Sequence, residues 1–477
     1  ATEIGVDFEA IRQALKTFRG ARRRFDRKYA SRHFTIIDDY GHHPTEIEAT
    51  LQTARELNPG RLVCLFQPHR YSRTQRLAEE FGQAFRQADV VFVSDVYAAS
   101  EAPISGVSGQ TIVDAIESQV EDIEVHYLPV KGETHWAVGH ALRPGDLLIT
   151  LGAGDIHKVG TRLAADLEVL EALEEAMGEE HGPSRLYESM ARHTTLRVGG
   201  PAQYWIEPRS VRAFSAAVRY GRCNHLPIRV VGRGSNLLVK DGGIPGLVIH
   251  PNKGDFSKIE VRGEELEAGA GARFKNVAGV ARSAGLAGFE WMEGIPGNVG
   301  GSLRMNAGAM AVETFDQVVR VTCLDPDTLE AVEKTPDAFE VHYRNVPDFD
   351  QFYALSAVFK GTKSEIDEIN ALMEESKEKR RSSQPVGASA GCIFKNPDIM
   401  GAGQLVDELG LKNHRVGSAR VSEIHGNFIV NEGEASAAEV LQLIGEIQEM
   451  ASEKRQTVLE TEVQILGVDR PEPNVFA

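Results

Sequence analysis

Four short, almost purely apolar runs punctuate the first 160 positions: FTIID (34–38), RLVCLF (61–66), DVVFVSD (89–95) and DLLITLG (146–152). Such strands show no alternation between a wet and a dry face, so both faces must be covered, and the stretches between them have helical patterns. The combination predicts an α/β layer on a largely parallel sheet. Ahead of it, FEAIRQALKTFRGARRRF reads as an amphipathic helix with a basic exit, placing Phe8, Ile11, Leu15 and Phe18 at spacings of three and four.

The layer is expected to close near residue 160. Leu163, Leu167, Leu170, Leu173 and Met177 then mark a helix with an acidic outer face, a linker over 161–184 that ends in the turn-rich GEEHGPS. The remainder has short strands, many glycines, a long helix from about Ala435 to Lys454, and the strand VLETEVQIL. There is no internal repeat. A chain of 477 residues fits about three domains, here an α/β and α+β multidomain protein.

Apolar content of 42% and charged content of 25% are ordinary for a soluble protein. No apolar run approaches the ~18 residues of a membrane span, and residues 1–30 lack a signal-peptide core. Cys64, Cys223, Cys323 and Cys392 are scattered without a CxxC pair, which fits neither a zinc site nor a disulfide framework and suggests a reducing, cytoplasmic setting. A formal charge of −17 disfavours nucleic acid, so an anionic ligand must meet a local basic cluster. Lys377, Lys379, Arg380 and Arg381 are one candidate, with a solvated helix end as the alternative.

Two glycine loops dominate the second half, VVGRGSNLLVKDGG (230–243) and GIPGNVGGSLRMNAGA (294–309). Glycines this dense let backbone N–H groups approach an anion, although each loop taken alone reads more readily as a set of turns. Neither is a GxGxxG fingerprint, and a GxxxxGK[ST] phosphate loop is impossible because no GK dipeptide occurs. SAGCIFKNP (389–397) sets Cys392 beside a glycine and two large apolar residues, where a thiol is either a small buried hydrophobe or a reacting group.

These loops belong to an ordered set: HTTLRVGGPA, GRGSNLLV, GIPGNVGGSLRMNAGA, Tyr343-Arg344, SAGCIFKNP, AGQLVDELGL, VSEIHGNFIVN and LETEV. Together, over residues 185–467, they resemble the MurB family, FAD-dependent UDP-N-acetylenolpyruvoylglucosamine reductases of peptidoglycan precursor synthesis. The resemblance implies an FAD-binding domain of two α/β subdomains (185–362), of the vanillyl-alcohol-oxidase type, and a C-terminal substrate-binding domain (363–477). NADPH is the implied hydride donor and a UDP-sugar the implied substrate. The short connection from Arg344 to Cys392 points to the lidless class.

For the cofactor, the resemblance implies Arg197, then Gly232, Gly234, Ser235, Asn236 and Leu237 of the first loop, and Gly294, Pro296, Gly297, Val299 and Gly300 of the second. For catalysis it implies Arg344 at the substrate carboxylate, Glu462 at the enol, and Cys392 as proton donor where most members carry serine. Taken alone, Arg344 could be a surface ion pair and Glu462 a half-exposed strand residue. A thiol, with a reference pKa of ~8.5, is a stronger acid than an aliphatic hydroxyl and is largely protonated at neutral pH. Tyr343, Gln384, Lys395 and Asn396 are the implied substrate contacts, and Asn413 stands where glycine is common.

In the first 160 residues, DDYGHHPTE (38–46), FQPHRYSRT (66–74) and GAGDI (152–156) resemble the Rossmann-like C-terminal domain of the MurC family, UDP-N-acetylmuramate:L-alanine ligases. Adjacent His42 and His43 diverge on strand or helix, so no metal is expected. The resemblance implies substrate roles for Asp39, Tyr40, His42, Arg70 and Arg73. It covers the last third of a ligase, so L-alanine and ATP are expected as partners only of an intact ligase, and the chain reads as a natural MurC and MurB fusion or a cut version of one. The rival readings are an FAD-dependent small-alcohol oxidase and a noncatalytic nucleotide-binding module.

Overall fold

The computed structural model describes residues 4–17 and 21–471, which divide into two compact units, one reaching Val169 and one running from Leu170 to Arg470. In the first unit, β1 (Asp26–Ala30), β2 (Phe34–Asp39), β3 (Arg61–Phe66), β4 (Val90–Ser94), β5 (Glu124–Leu128) and β6 (Asp146–Leu151) form one sheet in the order β1-β2-β6-β3-β4-β5. Every neighbouring pair is parallel except β1 and β2. The four apolar runs have become β2, β3, β4 and β6. Strand β6 is central and wholly buried, with Leu148 between Ile36 and Val63. Its one charge, Asp146, is held by Arg61 through two hydrogen bonds of 3.0 and 2.7 Å, the paired geometry that offsets burial of a carboxylate. Asp39 and Phe66 both stand opposite Leu151, so three loops leave the carboxyl edge of the sheet at one level.

The opening helix spans Phe8–Thr17 and starts on Asp7, whose carboxylate accepts from the N–H groups of Glu9 and Ala10. Phe8 is exposed, and Phe18 and the side chain of Leu15 lie outside the described residues. The expected linker is the continuation of a single helix, His157–Met177, followed by a tight turn and a strand from Ser184. Leu163, Leu167, Leu170, Leu173 and Met177 are all buried.

The second unit holds three main sheets. Ser184–Ser189, Pro201–Ile206, Ile244–Ile249 and Ile228–Val230 pair in that order, antiparallel at the first pair and parallel beyond it. Ile259–Arg262, Glu265–Gly269, Tyr353–Lys360, Val318–Leu324 and Ala331–Lys334 form an antiparallel sheet in that order. The third, also antiparallel, contains Ala388–Cys392, Phe428–Asn431, Ala419–Val421 and Arg415–Val416. Leu443, Ile444 and Ile447 of the helix Ala437–Arg455 share one core with Val421 and Ile429 of that sheet. Ser436 opens this helix through a reciprocal cap with Glu439.

Two expectations shift. Ile369 and Met373 of the helix Ile366–Ser383 share the core of the five-stranded sheet, so the core changes after Ser383 rather than at 363. VLETEVQIL is a strand only at Gln464–Leu466, parallel to Leu237–Val239, while Thr461 bridges to Phe394. The chain changes partners at Glu462. Among the described residues no helix is long and apolar enough to cross a membrane.

Candidate active site

The two glycine loops of the second unit meet. A Cβ on Gly232 would lie 3.0 Å from Asn298 Oδ1, and one on Gly297 would lie 3.6 Å from Ser235 Oγ. Gly234 has a φ of +64°, and a side chain there would run into the His193 carbonyl. Beside the loops opens a cavity of about 850 Å³. Arg192, Arg197, Arg233, Lys253 and Arg273 line it, with no Asp or Glu among the lining residues. In a chain of net charge −17 this is a local reversal of sign suited to an anion. Burial holds the Arg233 guanidinium below its ordinary pKa, and the charge of Arg273 adds to the effect. Two buried amide oxygens that face this region, Asn252 Oδ1 and Asn298 Oδ1, have no hydrogen-bond partner among the described residues. A flavin dinucleotide suits both features, because its pyrophosphate matches the cations and its hydroxyls match the amide acceptors.

Of the expected cofactor residues, Arg197 and Gly232 line the cavity. Ser235, Asn236 and Leu237 carry the first loop toward the segment that holds Glu462: Asn236 Nδ2 donates to the Glu462 carbonyl at 3.0 Å, and Leu237 stands opposite Gln464. Gly294 ends the 3-10 helix Glu290–Gly294, and Pro296 and Gly297 lie in the short connection to the helix Val299–Arg304. The N–H groups of Val299 and Gly300 are engaged with the carbonyls of Ala272 and Ala270, which fixes the loop.

The strand Ala388–Cys392 starts at the cavity wall and ends at the thiol. Just beyond it, Asn427 pins the chain by exchanging hydrogen bonds of 2.8 and 2.7 Å with the backbone of Phe394. Burial pushes the Cys392 thiol up to about 12, and the nearby Glu462 carboxylate adds to this. Arg344, Arg380 and a hydrogen bond with Asn427 oppose it. The Glu462 carboxyl is likewise raised by burial, against the pull of Arg344 and Lys395. Arg344 Nε lies 3.3 Å from Glu462 Oε1, and its guanidinium carbon lies 4.7 Å from the Tyr343 ring centroid. The three expected catalytic residues therefore share one polar cluster, with Cys392 half-buried in it.

Arg380, expected only as part of a basic run, turns inward and donates to Gln384 Oε1 at 3.0 Å. Its aliphatic part fills the space a side chain at Gly294 would need, so the second loop, the helix end and the thiol form one neighbourhood. Lys377 instead pairs with Glu374 at 2.6 Å. Lys395 pairs with Glu460 at 3.3 Å, and Asn396 Oδ1 accepts from the Ala402 N–H. Asn413 takes a left-handed φ of +66°, which asparagine tolerates in place of glycine.

In the first unit, the His42 ring lies 5.5 Å from those of Tyr40 and His69, and His69 stacks on Tyr97. His43 turns away to cap the helix Pro44–Arg55. Both Asp39 oxygens accept backbone N–H groups, from Gly41 and Phe25, so Asp39 shapes its loop. Arg70 has a left-handed φ of +71°, and Arg73 Nη1 is buried without a partner among the described residues.

Sequence reasoning gave no role to Arg192, Arg233, Lys253, Arg273, Asn252 and Asn298 around the cavity, or to Glu313 and Asn427 around Arg344 and the thiol, and it named Arg380 only within a basic cluster. A signal was available for Arg233 and Asn298, which lie inside the two glycine loops, and for Arg273 in GAGARF (269–274), where two glycines precede an arginine.

Residues 383–466 match the family model for the UDP-N-acetylenolpyruvoylglucosamine reductase C-terminal domain, 202–329 that for an FAD binding domain, and 23–154 that for the Mur ligase, glutamate ligase domain. The UDP-N-acetylenolpyruvoylglucosamine reductase of Bacillus licheniformis is 39% identical over 285 residues, 59% of this chain and 94% of that protein. The solved reductase from Thermus caldophilus is 35% identical, covering 60% of this chain and 98% of its own, with a TM-score of 0.52. The UDP-N-acetylmuramate-alanine ligase of Thermotoga maritima is 29% identical over 35% of each chain, with a TM-score of 0.30. The chain thus belongs to the UDP-N-acetylenolpyruvoylglucosamine reductase family and carries a Mur ligase domain ahead of its FAD binding domain.

Proposed function

We propose that this chain reduces the enolpyruvyl ether of UDP-N-acetylglucosamine to the lactyl ether, giving UDP-N-acetylmuramate, with FAD in the cationic cavity and NADPH as hydride donor. The observation that carries the reading is the meeting of Cys392, Glu462 and Arg344 at the end of a strand that begins in the cavity wall. FAD, when bound, supplies hydride acceptance and donation. Arg192, Arg197, Arg233, Lys253 and Arg273 would hold its pyrophosphate. Arg344 neutralises the substrate carboxylate and stabilises the negative charge that spreads onto it, a contact whose loss costs about 10² to 10³ in rate. Glu462 supports the enol. Cys392 Sγ then delivers its proton to the enol carbon, and the raised thiol pKa keeps that proton in place until a far more basic carbon needs it. Tyr343 stacks on Arg344, and Gln384, Lys395 and Asn396 take the nucleotide and diphosphate end, Lys395 by exchanging Glu460 for phosphate.

The Mur ligase domain is read as that of an L-alanine ligase. Arg70, Arg73, Tyr40 and His42 gather at the carboxyl edge of its sheet, the usual ligand edge of such layers, and Asp39 shapes the loop that carries two of them. This 477-residue polypeptide holds no phosphate loop and is expected to give no ATP-dependent coupling of L-alanine.

The test is optical. The purified chain should be yellow, bleach under anaerobic NADPH, and recover colour on a pulse of enolpyruvyl substrate. Cys392→Ala should bleach normally and recover at least about 10²-fold more slowly, whereas Cys392→Ser keeps a proton donor and should recover much faster than the alanine variant. Recovery of Cys392→Ala at the wild-type rate ends the assignment.

A further inference from the structure

Arg344 answers to two carboxylates, and only one of them belongs to the expected catalytic set. Its Nη1 lies 3.2 Å from the Asn306 carbonyl oxygen and 3.4 Å from Glu313 Oε1, on the side away from the Nε contact with Glu462. Glu313 is itself held at several points. Its Oε2 accepts from Asn306 Nδ2 at 2.6 Å, and its backbone N–H donates to Asp316 in a cap at the helix Thr314–Gln317. Asn306 is 2% exposed and also accepts from the Phe315 N–H. It sits in the tail of the second glycine loop, so one line of contacts runs from that loop through Asn306 and Glu313 to Arg344. Arg344 has a left-handed φ of +57° in a tight turn, a conformation that costs energy unless the surroundings hold it.

A substrate carboxylate needs the guanidinium both free and fixed, which a single carboxylate partner cannot provide. If Glu462 alone held Arg344, an arriving substrate would have to displace that hold, and the cation would follow whichever anion won.

Resting on the reading of Arg344 as the carboxylate clamp, we propose that Glu313, braced by Asn306, is a positioning residue. It keeps the guanidinium in place while Glu462 releases it to the substrate. Glu313 acts only through Arg344. Its removal therefore impairs the step in which the substrate carboxylate gains charge and leaves NADPH oxidation untouched. Because Glu313 also competes for the same cation, neutralising it does not weaken substrate binding. The defect lies in kcat rather than KM.

The experiment compares full-length Glu313→Gln, Glu313→Asp, Arg344→Lys and the Glu313→Gln/Arg344→Lys double variant in separate half-reactions. Glu313→Gln is expected to reoxidise with enolpyruvyl substrate about tenfold more slowly, with flavin content, Tm, NADPH bleaching and KM for the substrate unchanged. Glu313→Asp keeps the charge and should recover part of the rate. If Gln at this position lowers flavin content, the aspartate variant carries the test: a slowed reoxidation with normal bleaching supports the proposal. The double variant should be no slower than Arg344→Lys alone. Wild-type reoxidation by Glu313→Gln, or losses that multiply in the double variant, overturn it. If Arg344→Lys is also indifferent, the clamp reading itself fails, whereas a slow Arg344→Lys beside a normal Glu313→Gln removes only the positioning role.

Discussion

The role proposed for Cys392 requires that it stay a thiol, and it is placed to do so. With its pKa raised to about 12, it is ionised to roughly one part in 10⁴ at pH 8, against about a quarter for an ordinary thiol at ~8.5. The sign is plain: a raised pKa extends the protonated form upward in pH, so thiol ionisation should impose no loss on flavin reoxidation until the pH nears 12. The same property shields the sulfur from alkylation. Under iodoacetamide at pH 8, exposed Cys223 should be labelled at least about 10²-fold faster than half-buried Cys392, read by mass spectrometry. Equal labelling would contradict a protonated, sheltered thiol. The family blocks singled out Cys392, Arg344 and Glu462, which the fold brings together, but left-handed backbone at other expected residues and at Arg344 was not legible. Arg70, Arg197 and Arg344 have φ of +71°, +57° and +57°, and nothing in the identity of an arginine announces a left-handed conformation. The cavity cations were hidden for another reason. Arg233, Lys253 and Arg273 are three of 52 basic residues, and only folding brings them to one wall.

At the scale of elements, the first glycine loop and the C-terminal helix are tied by one side chain. Asp241 Oδ1 and Oδ2 accept from the N–H groups of Ala437 and Ala438 at 2.8 and 3.0 Å, satisfying orphan donors at the start of the helix Ala437–Arg455 and meeting its positive dipole end. Asp241→Ala should lower stability by about 1 to 2 kcal/mol, seen as a lower denaturant midpoint, and Asp241→Asn should lose less. A loss near zero would mean that solvent or Ser436 replaces the contact. This helix was legible in the sequence because its apolar positions recur and Ser436 with Glu439 spells a cap. VLETEVQIL reads as one strand in the sequence; Leu459 and Val463 are both 2% exposed, but the length was not legible. The N–H groups of Glu462 and Val463 both point to the Ile393 carbonyl, and Gln464 turns to Asn236, so two short pairings with different partners replace one strand. Alternation reports which face is dry and is silent about who pairs with whom.

For the whole molecule, the matched families divide as the compact units do: 23–154 falls in the first, and 202–329 with 383–466 in the second. Each unit has its own apolar core, one around Ile37, Phe66 and Ile149, the others around Phe274, Phe359, Ile429 and Ile447. Every residue of the cationic cavity lies between Arg192 and Ala388, inside the second unit. A ligand that binds only the folded second unit stabilises only that unit, by about 2.7 kcal/mol at a hundredfold excess over Kd. Calorimetry of flavin-free protein should therefore resolve two transitions, and added FAD should raise one by several degrees while the other stays in place. The helix His157–Met177 runs across the division between the units at Val169 and Leu170, so it is the element through which unfolding of one could be felt by the other. A single transition that moves as a whole with FAD would show that this helix makes the chain one cooperative body, and then Leu167→Ala, on its buried face, should split the transition in two.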